Sequence, residues 1–231
     1  MKILLFDVDG TLIRAGGAGR KALNKAAQRL YGKDHACSEL SLAGRTDLYN
    51  FGQAYRAATG RKPTRAAVER LHREYLAHLP YYVRAALRNG SYHVPGGLKR
   101  LLKRLSRDRR VLLGLGTGNM ERGARIKLEP SGFNAYFLFG GFGSDSFHRP
   151  TLLRKAVARA KKFVSEPVSP GDVYVIGDTP LDVAAGKKAG YKTVAVGTGF
   201  SPWAELVDAK PDHLARDYKD INTWLNWFEL S

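Results

Sequence analysis

The chain of 231 residues has one cysteine, Cys37, and two methionines. A single thiol excludes an internal disulfide framework and fits a reducing compartment. No apolar run approaches the ~18 residues that a membrane span requires. The opening Met1-Lys2-Ile3-Leu4-Leu5-Phe6 turns acidic at Asp7, too soon for the ~7–15-residue apolar stretch of a secretion signal. The expected setting is cytoplasmic. The six histidines form no i, i+4 pair, which excludes a helical zinc site of the His-x-x-x-His kind. Acidic residues are scarce too: 21 against 38 Lys and Arg leave a formal net charge of +17. The excess is uneven, because residues 14–90 carry 15 basic and only 5 acidic side chains. Such a surface attracts anions, whether small phosphates, nucleic acid or anionic lipid.

What the chain has is enough apolar material, 44% of its residues, to bury a real core. Its length suits one core of ordinary size with a modest insertion. Short apolar runs at 3–6, 111–115, 173–176 and 193–196 are mostly β-branched or Leu and end at Gly, Asp or Thr. Near-continuous runs of this kind predict parallel strands buried on both faces. Between them lies helical periodicity: Leu98, Leu101, Leu102 and Leu105 recur at i, i+3, i+4, i+7, and 152–163 also reads as helix. Residues 18–88 differ. Ala22, Ala26 and Leu30, then Leu48, Phe51 and Tyr55, then Val68, Leu71, Tyr75 and Leu79 give three or four helical stripes without a strand signal. The turn Gly60-Arg61-Lys62-Pro63 separates two of them, and 92–97, with Pro95-Gly96-Gly97, reads as a returning linker. The expected architecture is α/β: a Rossmann-like three-layer α/β/α core on a parallel sheet, from residues 1–15 and 91–231, with an α-helical insertion at 16–90.

Chemistry-bearing side chains follow the predicted strands at once. Asp7 and Asp9 come after the first run, Thr117 after the second, and Asp178 with Asp182 after the run at 173–176. In an open α/β sheet, ligands bind outside the carboxyl ends of the strands, so the fold gathers these residues in one crevice. Clustered carboxylates are costly unless they share a cation, and an oxygen-only donor set favours Mg²⁺ over zinc. A carboxylate so held can attack phosphorus, and Asp7 is placed for that. Asp9, two residues on, can protonate a leaving alkoxide and then activate water. Thr117 and the backbone N–H groups of Gly118 and Asn119, entering a helix, can hold phosphoryl oxygens. Asp182 has a plainer alternative as the cap of the helix that follows it.

The segments Phe6-Asp7-Val8-Asp9-Gly10-Thr11-Leu12, Leu115-Gly116-Thr117-Gly118-Asn119 and Gly177-Asp178-Thr179-Pro180-Leu181-Asp182 resemble motifs one, two and four of the haloacid dehalogenase-like hydrolase superfamily. The helical insertion resembles the cap domain of its phosphoglycolate-phosphatase-like branch, with Gly44-Arg45-Thr46-Asp47 similar to that branch's cap loop. The resemblance implies a nucleophile at Asp7 and an acid/base at Asp9. It also implies Mg²⁺ held by the Asp7 side chain, the Asp9 backbone carbonyl and the Asp178 side chain, with Asp182 supporting, and a substrate contact at Arg45. Motif three departs from the family's usual Lys-Pro: the chain has His148-Arg149-Pro150, which makes Arg149 the candidate and Lys155 the alternative. Dehalogenases carry a non-acidic residue where Asp9 stands, so the resemblance implies a phosphatase.

The glycines of Gly16-Gly17-Ala18-Gly19-Arg20-Lys21 read as a hinge between core and insertion, with Arg20 a candidate to face the crevice. The basic residues of 99–110 read as the solvated face of an amphipathic helix. Cys37 reads as an ordinary thiol, and Trp203, Trp224, Trp227 and Phe228 as packing for the last helix. The expected activity is Mg²⁺-dependent hydrolysis of a small organic phosphomonoester, phosphoglycolate-like or a sugar or nucleotide phosphate. The expected partner is a small phosphorylated metabolite, with neither nucleic acid nor membrane. A phosphomutase, or a basic binding protein with a vestigial site, is the alternative.

Overall fold

In the computed structural model, which describes residues 1–164 and 167–231, strand β1 (Lys2–Phe6) runs through the middle of the molecule. It leads through β2 (Arg14–Ala15) into helices α1 (Ala18–Tyr31), α2 (Asp47–Thr59) and α3 (Arg65–Arg88). The chain returns by β3 (Tyr92–His93) to α4 (Leu98–Leu105), β4 (Val111–Gly116), α5 (Glu121–Leu128) and β5 (Phe139–Gly141). Then come α6 (Arg149–Ala160), β6 (Val173–Gly177), α7 (Pro180–Ala189), β7 (Lys192–Val196), α8 (Trp203–Asp208), β8 (His213–Ala215) and α9 (Ile221–Trp227).

Among the described residues, six strands form one parallel sheet in the order β5-β4-β1-β6-β7-β8. The order reverses at β1, which makes its carboxyl end a topological switch point. Alternate side chains of β1 enter opposite layers. Leu4 and Phe6 join a cluster with the α4 leucines and the insertion, while Ile3 and Leu5 join Leu152, Leu153 and Ala156 of α6. That alternation, period two on a strand buried on both faces, is what makes three layers. Register then decides the site: Phe6 lies opposite Leu115 on one side and Ile176 on the other. Residues just beyond these positions therefore emerge side by side.

The four predicted strands are present, and so is the helical insert, which lies between β2 and β3. β2 and β3 pair antiparallel, Arg14 with His93 and Ala15 with Tyr92, and so tie together the outgoing and returning chains at its base. Strands β5 and β8 were not expected. β5 reads Phe-Gly-Gly, a composition with little strand propensity, and a Cβ on Gly140 would stand 3.0 Å from the Leu115 carbonyl oxygen. β8 is a three-residue edge strand. The helix expected at 152–163 starts earlier, at Arg149 with Pro150 in its first turn, and ends in a 3₁₀ turn, Lys161–Phe163.

On α4 all four leucines are buried and the basic residues from Lys99 to Arg110 are exposed. Trp224 and Phe228 pack as expected, with Tyr218 and Tyr174, and Trp227 stacks on His213. Trp203 does not join them: it packs beside Leu206, Val183 and Ala195, with the Arg216 guanidinium 3.8 Å from its ring centre. Cys37 is buried, which pushes its thiol up to about 11. Among the described residues no helix is long and apolar enough to cross a membrane.

Candidate active site

Asp7 leaves the end of β1, where its backbone N–H still donates to the Ile176 carbonyl of β6 at 2.9 Å. The residue is 6% exposed. One carboxylate oxygen each from Asp7, Asp178 and Asp182 lies within 4.8 Å of the others. Burial first, and then the neighbouring negative charge of Asp182, push the Asp7 carboxyl up to about 7, and Asp178 is raised well above the usual range for the same kinds of reason. Such a cluster ionises readily only when a cation is shared. Gly10, with φ 85°, makes room for it: a Cβ there would stand 2.2 Å from an Asp178 oxygen. Asp178 is steadied by the Thr11 hydroxyl at 3.1 Å and the Phe200 N–H at 3.0 Å. Buried, all-oxygen donors of this kind fit a hard divalent cation, with Asp7 and Asp178 the carboxylates to hold it.

Asp182 does both of the things open to it. It closes a capping box with Thr179 at the start of α7, and it accepts from the guanidinium of Arg149. Arg149, 8% exposed, also stands 3.7 Å from Asp7. Its Nε, among the described residues, has no partner. Lys155, one and a half turns along α6, is exposed and donates to the Asp145 carbonyl at 2.9 Å.

Asp9 lies on the other side of Asp7, half-buried. Two donors share its Oδ2: the Asn119 amide at 2.9 Å and the Lys127 ammonium at 2.6 Å. Asn119 also donates to Thr117 Oγ1 at 2.9 Å. Thr117 is fully buried, and its backbone N–H pairs with Gly141 of β5 at 3.0 Å. The helix after Thr117 begins only at Glu121, and the Asn119 N–H turns back to the Thr117 hydroxyl at 3.2 Å.

Lys127 was missed in the sequence. Its signal was there: the buried positions of α5 are Gly123, Ala124, Lys127 and Leu128, so a lysine occupies the apolar stripe. Burial works against its charge, but Asp9, Tyr75 and Asp47 outweigh that and hold its pKa above the ordinary value.

The insertion reaches this site mainly through backbone. The Gly44 carbonyl accepts from Arg149 at 3.2 Å, and the Asp47 N–H donates to the Gly118 carbonyl at 2.7 Å. The Asp47 carboxylate accepts from the Met120 N–H at 2.8 Å. Gly118 sits so close to the loop that a Cβ would stand 2.3 Å from the Arg45 carbonyl oxygen. The Arg45 side chain itself is exposed, its guanidinium 5.0 Å from the Tyr49 ring centre. Arg20 braces the loop instead of pointing free into the crevice. It donates to the carbonyls of Cys37, Ser38 (3.2 Å) and Leu40 (2.8 Å). Between core and insertion remains a cavity of about 220 Å³, lined by Asp7, Asp9, Arg149 and Lys127 and, from the insertion, Asn50 and Tyr75. Asn50 is 7% exposed and its Oδ1 has no partner among the described residues.

Solved structures share this arrangement of chain. A predicted phosphatase from Clostridium acetobutylicum superposes with a TM-score of 0.72 at 19% identity, over 97% of this chain and 98% of that one. A predicted phosphoglycolate phosphatase from Haemophilus somnus gives 0.70 at 18% identity, over 97% of each chain. A hydrolase from Pseudomonas syringae gives 0.67 at 22% identity over the full length of both. At these identities the likeness is one of fold. Comparison with curated proteins returns no match. The model of one family, the haloacid dehalogenase-like hydrolases, matches residues 4–187, which takes in most of β1 and the two aspartates after it, the insertion, Thr117, Arg149 and Asp178 with Asp182. The chain belongs to the haloacid dehalogenase-like hydrolase family.

Proposed function

We propose that the protein is a Mg²⁺-dependent phosphatase acting on a small organic phosphomonoester. The observation that carries this reading is the pair Asp7 and Asp9 on one wall of a cavity of about 220 Å³, the first in a buried carboxylate cluster and the second held by Asn119 and Lys127. A nucleophile and an acid/base two residues apart suit an ester whose leaving oxygen needs a proton.

The Asp7 carboxylate attacks phosphorus, a new P–O bond forms, and the bond to the ester oxygen breaks. Asp9 gives that oxygen its proton as it departs. Asp9 then takes a proton from water, whose oxygen attacks the aspartyl-phosphate and frees Asp7. Arg149 and Thr117 steady Asp7 and the equatorial oxygens beside it. When bound at Asp7 and Asp178, with the Asp9 carbonyl completing the protein's share, Mg²⁺ supplies charge neutralisation for two anions brought together. The closed insertion excludes bulk water, and the cavity's size selects phosphoglycolate-like compounds and small sugar phosphates over bulky esters. Arg45 and Arg20 act in this reading by shaping the loop that closes over the substrate.

Phosphate release from a panel of small phosphomonoesters, with and without Mg²⁺, tests it. Metal-dependent turnover that disappears in Asp7→Asn is the expected result. Metal-independent turnover, or none with any ester, overturns it.

A further inference from the structure

The ammonium of Lys127 has three protons, and two of them have protein acceptors. One goes to Asp9 Oδ2 at 2.6 Å and one to Asn119 Oδ1 at 2.6 Å. The hydroxyl of Tyr75, which comes from α3 in the insertion, lies beside the same group. Gly19 of α1 closes over the group, since a Cβ there would lie 3.4 Å from Nζ and 3.7 Å from the Tyr75 oxygen. The Lys127 side chain is 6% exposed, whereas that of Asp9 is 33% exposed.

The Asn119 amide is fully committed as well. Its oxygen receives the lysine, and its two N–H groups reach Asp9 Oδ2 and Thr117 Oγ1, each at 2.9 Å. A primary amide offers two donors and one acceptor oxygen, so this orientation has no slack. Asp9 Oδ2 therefore takes two donors from the protein, and Oδ1 is left for the cavity.

We propose that Lys127 is a positioning residue for Asp9. With Asn119 it occupies Oδ2, so that Oδ1 alone exchanges a proton with the leaving oxygen, and the seated insertion completes the arrangement through Tyr75. This rests on the phosphatase reading above. Lys127 lines the cavity, but its ammonium is committed to Asp9 and Asn119, and its effect passes through the carboxylate. The consequence is selective. An alkoxide must receive a proton as it leaves, whereas p-nitrophenolate departs as a stable anion. A misaligned Asp9 therefore slows phosphoryl transfer from alkyl esters and spares transfer from the aryl one. The later water step is common to both, so the selectivity is read in kcat/KM. A role confined to packing or to holding the insertion down would slow both alike.

The experiment compares kcat and KM for an alkyl phosphomonoester and for p-nitrophenyl phosphate in the wild-type protein, Lys127→Met and Tyr75→Phe, each checked by thermal unfolding. In Lys127→Met, kcat/KM for the alkyl ester falls about 100-fold. For p-nitrophenyl phosphate kcat/KM falls less than about 5-fold. Tyr75→Phe shows the same selectivity on a smaller scale, and it becomes the deciding variant if Lys127→Met does not fold. Equal loss of kcat/KM on both esters, or no loss on either, overturns the proposal while leaving the phosphatase reading intact. A wild-type protein that hydrolyses neither ester overturns both.

Discussion

The two walls of the cavity are built on different principles. On the core side, side chains meet one another: Asp7, Asp178, Asp182 and Arg149 are buried, Arg149 pairs with Asp7 and Asp182, and the places of Asp7 and Asp178 follow from the register of β1 with β6. On the insertion side the contacts are largely main chain. The Gly44 carbonyl, the Arg45 carbonyl and the Asp47 N–H approach Arg149 and Gly118, and Arg20 braces the same loop through carbonyls. The core wall is where charge is concentrated and chemistry is possible. The insertion wall depends on how closely two backbones approach.

The largest effect separates the walls outright. Asp7→Asn keeps the shape of the core wall and removes its nucleophile, so turnover falls by at least about 10⁴-fold, measured as phosphate release. Folding is retained, because the exchange removes a carboxyl that burial already pushes up to about 7. Retained activity would mean that the chemistry lies elsewhere.

Gly118→Ala attacks the seam. Its Cβ would stand 2.3 Å from the Arg45 carbonyl oxygen, so the loop must lift. A loss of about 100-fold in kcat/KM is expected, with Mg²⁺ binding by calorimetry unchanged. A loss below about 3-fold would show that the two backbones need not touch.

The insertion wall also carries its own pH dependence of stability. Burial raises the Asp47 carboxyl from 3.8 to about 6 against the opposing pull of Lys127 and the Met120 N–H. The folded protein therefore holds that proton more tightly than the unfolded chain. Its contribution is fully present below pH 3.8 and is lost as the pH rises to about 6. Asp47→Asn lacks the group, so the stability difference between the two proteins shifts by at most about 3 kcal/mol across that window and is level above it. Urea unfolding at several pH values reads this, and parallel pH profiles would contradict it.

Arg20→Met takes the donor from three loop carbonyls and costs about 2 kcal/mol in urea unfolding. An unchanged midpoint would show that the loop holds without it. Arg45→Ala is the smallest change. The side chain is exposed on Tyr49, so kcat/KM shifts by less than about 3-fold. A larger loss would bring that guanidinium to the substrate in the working enzyme.

The same contrast governs what could be read from residues alone. Four apolar runs showed their strands because a strand buried on both faces leaves a continuous signature in five or six residues. β5 and β8 left none, since three residues rich in glycine, or at an edge, are held in the sheet by their neighbours. The aspartates were legible because a carboxylate directly after a buried strand is placed by local chain geometry. Lys127 was not, although its place on the buried stripe of α5 was a clue, because its partners Asp9 and Tyr75 are more than 50 residues away along the chain. Trp203 lies near the last helix in sequence, yet packing places it against α7 and β7 instead.

By itself, then, the sequence determined the alternation of strand and helix, the helical insertion after the first strand, and the placing of acidic and hydroxyl groups just past strand ends. These rest on short-range sterics, hydrophobic periodicity and the pleat of a strand. Only the tertiary structure decided that Asp182 serves a helix and Arg149 together, that a buried lysine grips Asp9, and that Arg20 braces a loop. Each of those depends on which surfaces meet when the insertion folds down on the sheet, and close packing between distant segments leaves no periodic trace in either of them.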